Sequence, residues 1–347
     1  MRLNTPPRPF DVTALSPRLA PLARTATRLH PRPGSPTAHD SSVGGPLLWP
    51  ADEPWPYCEG PHDASLAEDT PLSAADIRAL RRVRAASAER RLRDRRAPVR
   101  TPEEDEVWRR HGGGRPWFDG PVPMLPVAQL HARDVPLPAR PAGTDLLQVL
   151  WCPCGHGVSE PRTALYWRSA ATVTDVLDTP PEPAAIEKDG YLPRPCILTP
   201  EQVTEYPSTM ELDEELQEQL ADESRWEAAG AEWDDGEAED PQDFYFRNLA
   251  TAPGWKTGGW TFWSLTDPEP RDCPACGTEQ IPLLTIASSE WDDGSVSWRP
   301  AEDPADPAQH LPGDPAEPTL VDIRGGYTLQ LHVCPASPDH PHLQIME

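Results

Sequence analysis

Apolar residues in this chain come in short runs broken by proline, glycine and charged residues, and three of those runs occur twice in the same order. The first pair is Val43-Gly44-Gly45-Pro46-Leu47-Leu48-Trp49 and Thr257-Gly258-Gly259-Trp260-Thr261-Phe262-Trp263; a Gly-Gly step precedes a Trp at the same spacing, and Pro54 and Pro268 follow at matching distances. The second pair is Leu125–Leu130 against Ile281–Ile286, and the third is Leu147–Pro153 against Leu329–Pro335. Apolar runs this short, bounded by Pro or Gly, predict strands. Their recurrence in order predicts an internal duplication whose copies feed one sheet or two related sheets. The paired glycines predict tight backbone turns, with Trp49, Trp151 and Trp263 delivered into the core.

Between the blocks lie unequal insertions. In the first copy, residues from about 60 to 120 contain a helix start at Ser73, with Asp76 three positions on and Ile77, Leu80, Val83 and Leu92 following. Arg78, Arg81, Arg82, Arg84, Arg90, Arg91, Arg93, Arg95 and Arg96 make it the one strongly basic region. Residues 201–240 form the opposite extreme, an acidic helical stretch with Arg225 as its basic residue. Docking of the basic helix on the acidic one is the preferred expectation, over an RNA-binding arm. The expected organisation is a first repeat over residues 1–180, an acidic connection over 181–250 and a second repeat over 251–347. The fold class is α+β, a mixed or antiparallel sheet framework with helical insertions.

Composition narrows the partners. The 347 residues carry a formal charge of −25, which repels phosphate backbones and anionic lipid, so DNA and membrane binding are disfavoured and RNA is a weak alternative. The 47 prolines forbid long unbroken helices, and the 13 tryptophans supply core area that a low apolar fraction would otherwise lack. Seven cysteines, an odd number in a large chain, argue against a secreted disulfide framework; with no signal-like or membrane-length apolar run, the expected compartment is the cytoplasm.

Gly44-Gly45 with Trp49, Trp55-Pro56 and Gln129-Leu130 is similar to the first half of the YwqG-like family, a bacterial family of unknown function. Gly258-Gly259 with Trp263, Cys273-Pro274-Ala275-Cys276-Gly277, Pro282-Leu283-Leu284 and Trp291-Asp292-Asp293-Gly294 resembles its second half. The resemblance runs from about Arg28 to Cys334 and departs at the basic insertion. It implies a duplicated α+β fold and brings no catalytic residues with it.

The chemistry on offer is mostly thiol. Cys273 and Cys276 have the spacing with which two thiolates grip one tetrahedral metal, but one such pair is half a site. Cys152, Cys154, His156, Cys334, His340 and His342, near the ends of the third-block strands, are candidates to complete it. Cys152 and Cys334 stand at equivalent strand ends, and Cys58 lies near the position answering to Cys273, so Cys273, Cys276, Cys334 and Cys152 are the candidate ligands, with zinc as the metal. Small buried residues without a metal are the plainer alternative, and a redox dithiol is disfavoured because Gly277 and a strand-like run follow instead of a helix. Glu-Trp-Asp-Asp-Gly at 232–236 and 290–294 reads as turn chemistry, Asp293-Gly294 as a hairpin; calcium ligation lacks the alternating ligands. Gly112-Gly113-Gly114 lacks the context of a phosphate loop, and residues 301–318 read as a solvated loop. With no complete catalytic constellation, the favoured function is a binding protein that uses the inter-repeat crevice or its acidic face for a protein partner; a metal-dependent enzyme near the CxxC turn is the alternative.

Overall fold

The computed structural model describes residues 3–62, 70–117, 120–156, 160–233, 238–304 and 314–347. The strands in chain order are β1 (Arg24–Arg28), β2 (Arg32–Pro33), β3 (Ser42–Val43), β4 (Tyr57–Cys58), β5 (Val122–Pro123), β6 (Leu125–His131), β7 (Leu146–His156) and β8 (Glu160–Arg168). The second half continues with β9 (Cys196–Ile197), β10 (Glu201–Glu205), β11 (Lys256–Gly258), β12 (Ile281–Ala287), β13 (Thr328–Val333) and β14 (Leu343–Met346). They form two six-stranded antiparallel sheets, β2-β9-β3-β6-β7-β8 and β10-β1-β11-β12-β13-β14, plus the small pair β4-β5. With the helices described below, the fold is α+β.

The two sheets match strand for strand, and the repeated sequence blocks occupy equivalent strands. β6 and β12 carry the same register break, between Pro126 and Ala128 and between Pro282 and Leu284, where the proline lacks a ladder donor. Gln148 donates to the Leu48 carbonyl at 2.9 Å and Gln330 to the Phe262 carbonyl at 2.7 Å, the equivalent bond in each copy. Gly44 and Gly258 both take positive φ, 62° and 68°, and a Cβ on Gly44 would stand 2.8 Å from the Pro193 carbonyl.

The copies are nevertheless not separate bodies, because each sheet borrows a strand from the other half. β1, near the N-terminus, sits between β10 and β11, and β9, from the second half, sits between β2 and β3. A division near residue 180 therefore cuts through both sheets. The crossing segments bond to each other, Thr199 N–H to the Leu29 carbonyl at 2.9 Å. At the crossing His30 adopts a φ of 44° and is fully buried, its Nε2 3.1 Å from Glu201. Nearby, Lys256 Nζ donates to Glu205 at 2.6 Å, and both side chains are sealed from solvent. One hydrophobic cluster joins the sheets, with Val127, Val149 and Trp151 from the first and Leu283, Ile286 and Leu331 from the second. Core occupies the middle of the space between the repeats, and hollows of about 350 Å³ beside Thr27, Arg133 and Gln202 and about 160 Å³ beside Trp167, Cys334 and His340 stay open where they meet.

Two helical units decorate this frame. In the first-copy insertion, α1 (Ala74–Arg93) starts at Ser73 with a reciprocal cap to Asp76, and α2 (Pro102–His111) starts at Thr101 with the same device to Glu104 and Pro102 in the first turn. α1 buries Ile77, Leu80 and Val83 and leaves Leu92 exposed. Arg90 forks onto Glu104 at 2.9 and 2.7 Å and ties the helices into a hairpin, with Gly112 capping its end. The acidic stretch forms α3 (Glu214–Ala221) and α4 (Glu223–Ala228), followed by α5 (Pro241–Tyr245). They bury Leu216, Leu220, Trp226, Phe244 and Tyr245 against Val12 and Leu19.

Docking between the basic and acidic helices is not what the ion pairs display. Arg78 pairs with Glu182 and Arg84 with Asp189, whereas Asp213 and Glu215 pair with Arg18. Each helix meets its counter-charge locally, and the acidic unit is held mainly by its apolar face. The expected hairpin at Asp293-Gly294 is instead a pair of short 3-10 turns over Asp293–Trp298, kinked at Ser295, with Asp292 and Ser295 capping each other across the first. The first Asp-Asp-Gly, at 234–236, and residues 305–313 of the expected solvated loop lie outside the described residues.

Candidate metal centres

Among the described residues, two groups of four side chains bring their ligand atoms within 4.8 Å of one another: Cys58, His62, Cys152 and His156, and Cys273, Cys276, Cys334 and His340. The CxxC turn gathers Cys334 as expected, but Cys152 stands in the other group. The reason is that each repeat keeps its long strands in its own sheet: β7 and β13 are equivalent but belong to different sheets, so the equivalence of Cys152 and Cys334 yields two sites in place of one.

In the first group, Cys152 and His156 come from the end of β7, where the β7–β8 register breaks between Trp151 and Gly155. Cys58 lies in β4, held against β7 through β5, and His62 follows on the next turn. Cys58 Sγ is 3.5 Å from His156 Nε2, and Cys152 Sγ is 3.3 Å from His62 Nε2. His62 Nδ1 lies 3.2 Å from the Gly120 carbonyl, so the tautomer that donates there leaves Nε2 as a lone pair facing the thiols. That outer bond is the orientation metal-bound histidines ordinarily have. Cys58, His62 and Cys152 are buried and His156 is half-buried.

In the second group, residues 273–277 make a compact turn in which the Cys276 and Gly277 amides donate to the Cys273 carbonyl, and Gly277 takes a φ of 70°. Cys334 follows β13 directly, and His340 sits in the loop before β14. Cys276 Sγ is 3.5 Å from Cys334 Sγ, Cys273 Sγ is 3.5 Å from His340 Nδ1, and His340 Nδ1 is 3.3 Å from Cys334 Sγ. Cys276 is exposed, the other thiols buried.

These separations test the fit to a metal. Ligands at about 2.3 Å for sulfur and about 2.0–2.1 Å for nitrogen, arranged tetrahedrally, stand roughly 3.5–3.8 Å apart; the contacts in both groups fall at or just under that edge. The two sets, two thiols with two imidazoles and three thiols with one, each could hold a metal ion. The local electrostatics differ. The Cys152 thiol is pushed up to about 12, chiefly by its hydrogen bond with Cys154 and by burial, and Cys58 is raised by its contact with Cys152. Cys276 is lowered to about 6 by hydrogen bonds from Thr278 and its neighbouring thiols.

Of the other candidates, Cys154 is buried beside the first group and His342 bonds to Thr163 at 2.7 Å, outside the second. His62 was not among the sequence candidates. The signal for it was present: Cys58 and His62 bracket a turn that answers to Cys273 and Cys276 in the second copy. No known family model matches the chain, and no curated protein matches it. Among the described residues, no helix is long and apolar enough to cross a membrane.

Proposed function

We propose that this chain is a zinc-binding protein of two structural centres, one per repeat, whose metal-braced frame serves binding and not catalysis. The observation that carries the reading is the recurrence of a four-ligand Cys/His set at equivalent places in two copies whose individual ligands differ. Buried thiols arise by chance; two quartets of converging ligand atoms at matched places in the two copies are a strong argument for a metal. Thiolate with imidazole suits zinc among common divalent ions, and four protein ligands leave no open position for substrate or water, which favours a structural role. Seven unpaired cysteines belong in a reducing compartment such as the cytoplasm. The resemblance to the YwqG-like family is part of the same proposal.

The deciding experiment is elemental analysis of protein purified without chelator. Near two zinc ions per chain are expected, and Cys273→Ser with Cys276→Ser should leave near one. Metal-free protein that also takes up no zinc on titration would overturn the reading.

A further inference from the structure

The basic hairpin carries a surface that the fold does not use. Between α1 and α2 lies an open groove of about 590 Å³ whose floor is Val83, Ala88, Leu92, Val99 and Trp108. Leu92 and Val99 are 62 % and 56 % exposed, high for apolar side chains lying together. Arg84, Arg91, Arg95 and Arg100 rim it. Residues 78–100 hold ten arginines against two acids, Glu89 and Asp94, in a chain of net charge −25. Some of that charge is spent internally: Arg84 on Asp189, Arg90 on Glu104, Arg100 on Asp105. Arg91, in the last turn of α1, and Arg95, in the turn that follows it, both line the groove and pair with no carboxylate among the described residues.

We propose that this groove binds an acidic amphipathic helix of another protein, its apolar stripe on Leu92, Val99 and Trp108 and its carboxylates on Arg91 and Arg95. This rests on the binding-protein reading above and names its surface. Charge complementarity selects the acidic partner, and the apolar floor selects a peptide with an apolar face over a phosphate backbone, which gains nothing from contact with Leu92 and Val99. A second copy of this chain is a poor occupant, because its own acidic helices bury Leu216, Leu220 and Trp226 in their own core.

The test is selection from a displayed library of random peptides of about 16 residues, about four helical turns, on the full-length metal-loaded chain. Enriched sequences should be rich in Asp and Glu, with apolar residues at helical spacing. Their affinity by fluorescence anisotropy should drop at least about tenfold for Arg91→Glu with Arg95→Glu, and separately for Leu92→Ser. All three changes are at exposed positions, and an unchanged zinc content and melting temperature establish that the frame is intact. Enrichment of neutral or basic peptides, equal binding to the variants, no enrichment at all, or tighter binding of an oligouridylate probe would each overturn the proposal. Zinc loading is read independently, so a chain with two zinc ions and no peptide binding refutes the groove and leaves the metal centres standing.

Discussion

Asp76 does more than cap α1. Its carboxylate accepts from the Ser73 hydroxyl at 2.6 Å, from His111 Nδ1 at 2.7 Å and from Arg115 Nε at 2.7 Å, so one side chain holds the start of α1, the end of α2 and the exit from the hairpin. Burial alone would raise this acid; the bonds from Ser73, His111 and Arg115 outweigh it and hold it down at about 2. A depressed carboxylate stabilises the fold above its unfolded pKa and loses that contribution as pH falls through the folded value, here from about pH 4 to about pH 2. Asp76→Asn should cost about 1–3 kcal/mol at neutral pH, and urea denaturation should show the gap to the parent closing across that acid window. The buried Lys256–Glu205 pair obeys a different rule. Glu205 also accepts from the Ala252 and Trp260 amides, so Lys256→Met strands a carboxylate in the core and should cost about 3–5 kcal/mol. Adding Glu205→Gln should recover part of that loss, whereas a cost that simply sums in the double variant would mean the two side chains act independently.

At the scale of elements, the long strands were legible because their apolar runs are bounded by Pro and Gly. β6, β7, β12 and β13 fall on the repeated blocks, and Ser73 marked the start of α1. Less visible were β1 and β10, which are mostly polar, and β2 and β9, which are too brief for a pattern; pairing partners far along the chain define them. The second helix of the hairpin was hidden among charges, although Thr101, Pro102 and Glu104 spell a start signal. Half of the candidate site was readable for the same reason. Cys273, Cys276 and Cys334 follow from spacing and repeat, but assigning Cys152 to its own quartet requires knowing which sheet each copy occupies. The turn glycine Gly44 is an element-scale constraint. Gly44→Ala faces both the positive φ and the Pro193 carbonyl, and should cost about 1–3 kcal/mol, measured by thermal denaturation, with zinc content unchanged.

For the whole molecule, exchange of β1 and β9 makes the two repeats one cooperative unit. Fragments 1–180 and 181–347, expressed separately, should each lack the dispersed amide spectrum of a folded protein and should regain it on mixing, since each holds a strand the other's sheet needs. Two independently folded halves would show that the exchanged strands are dispensable. The metal centres lie at the loop ends of these same sheets, so removing zinc with a strong chelator should lower the melting temperature of the intact chain in one transition, not two. The exchange also sets a clock for synthesis. The ribosome releases β1 first, yet its neighbours β10 and β11 emerge only after residue 200. Through that interval the nascent chain displays an unpaired strand, and the first sheet waits for β9. Neither sheet closes until most of the polypeptide is made, so prematurely terminated products present raw strand edges for cellular proteases to clear.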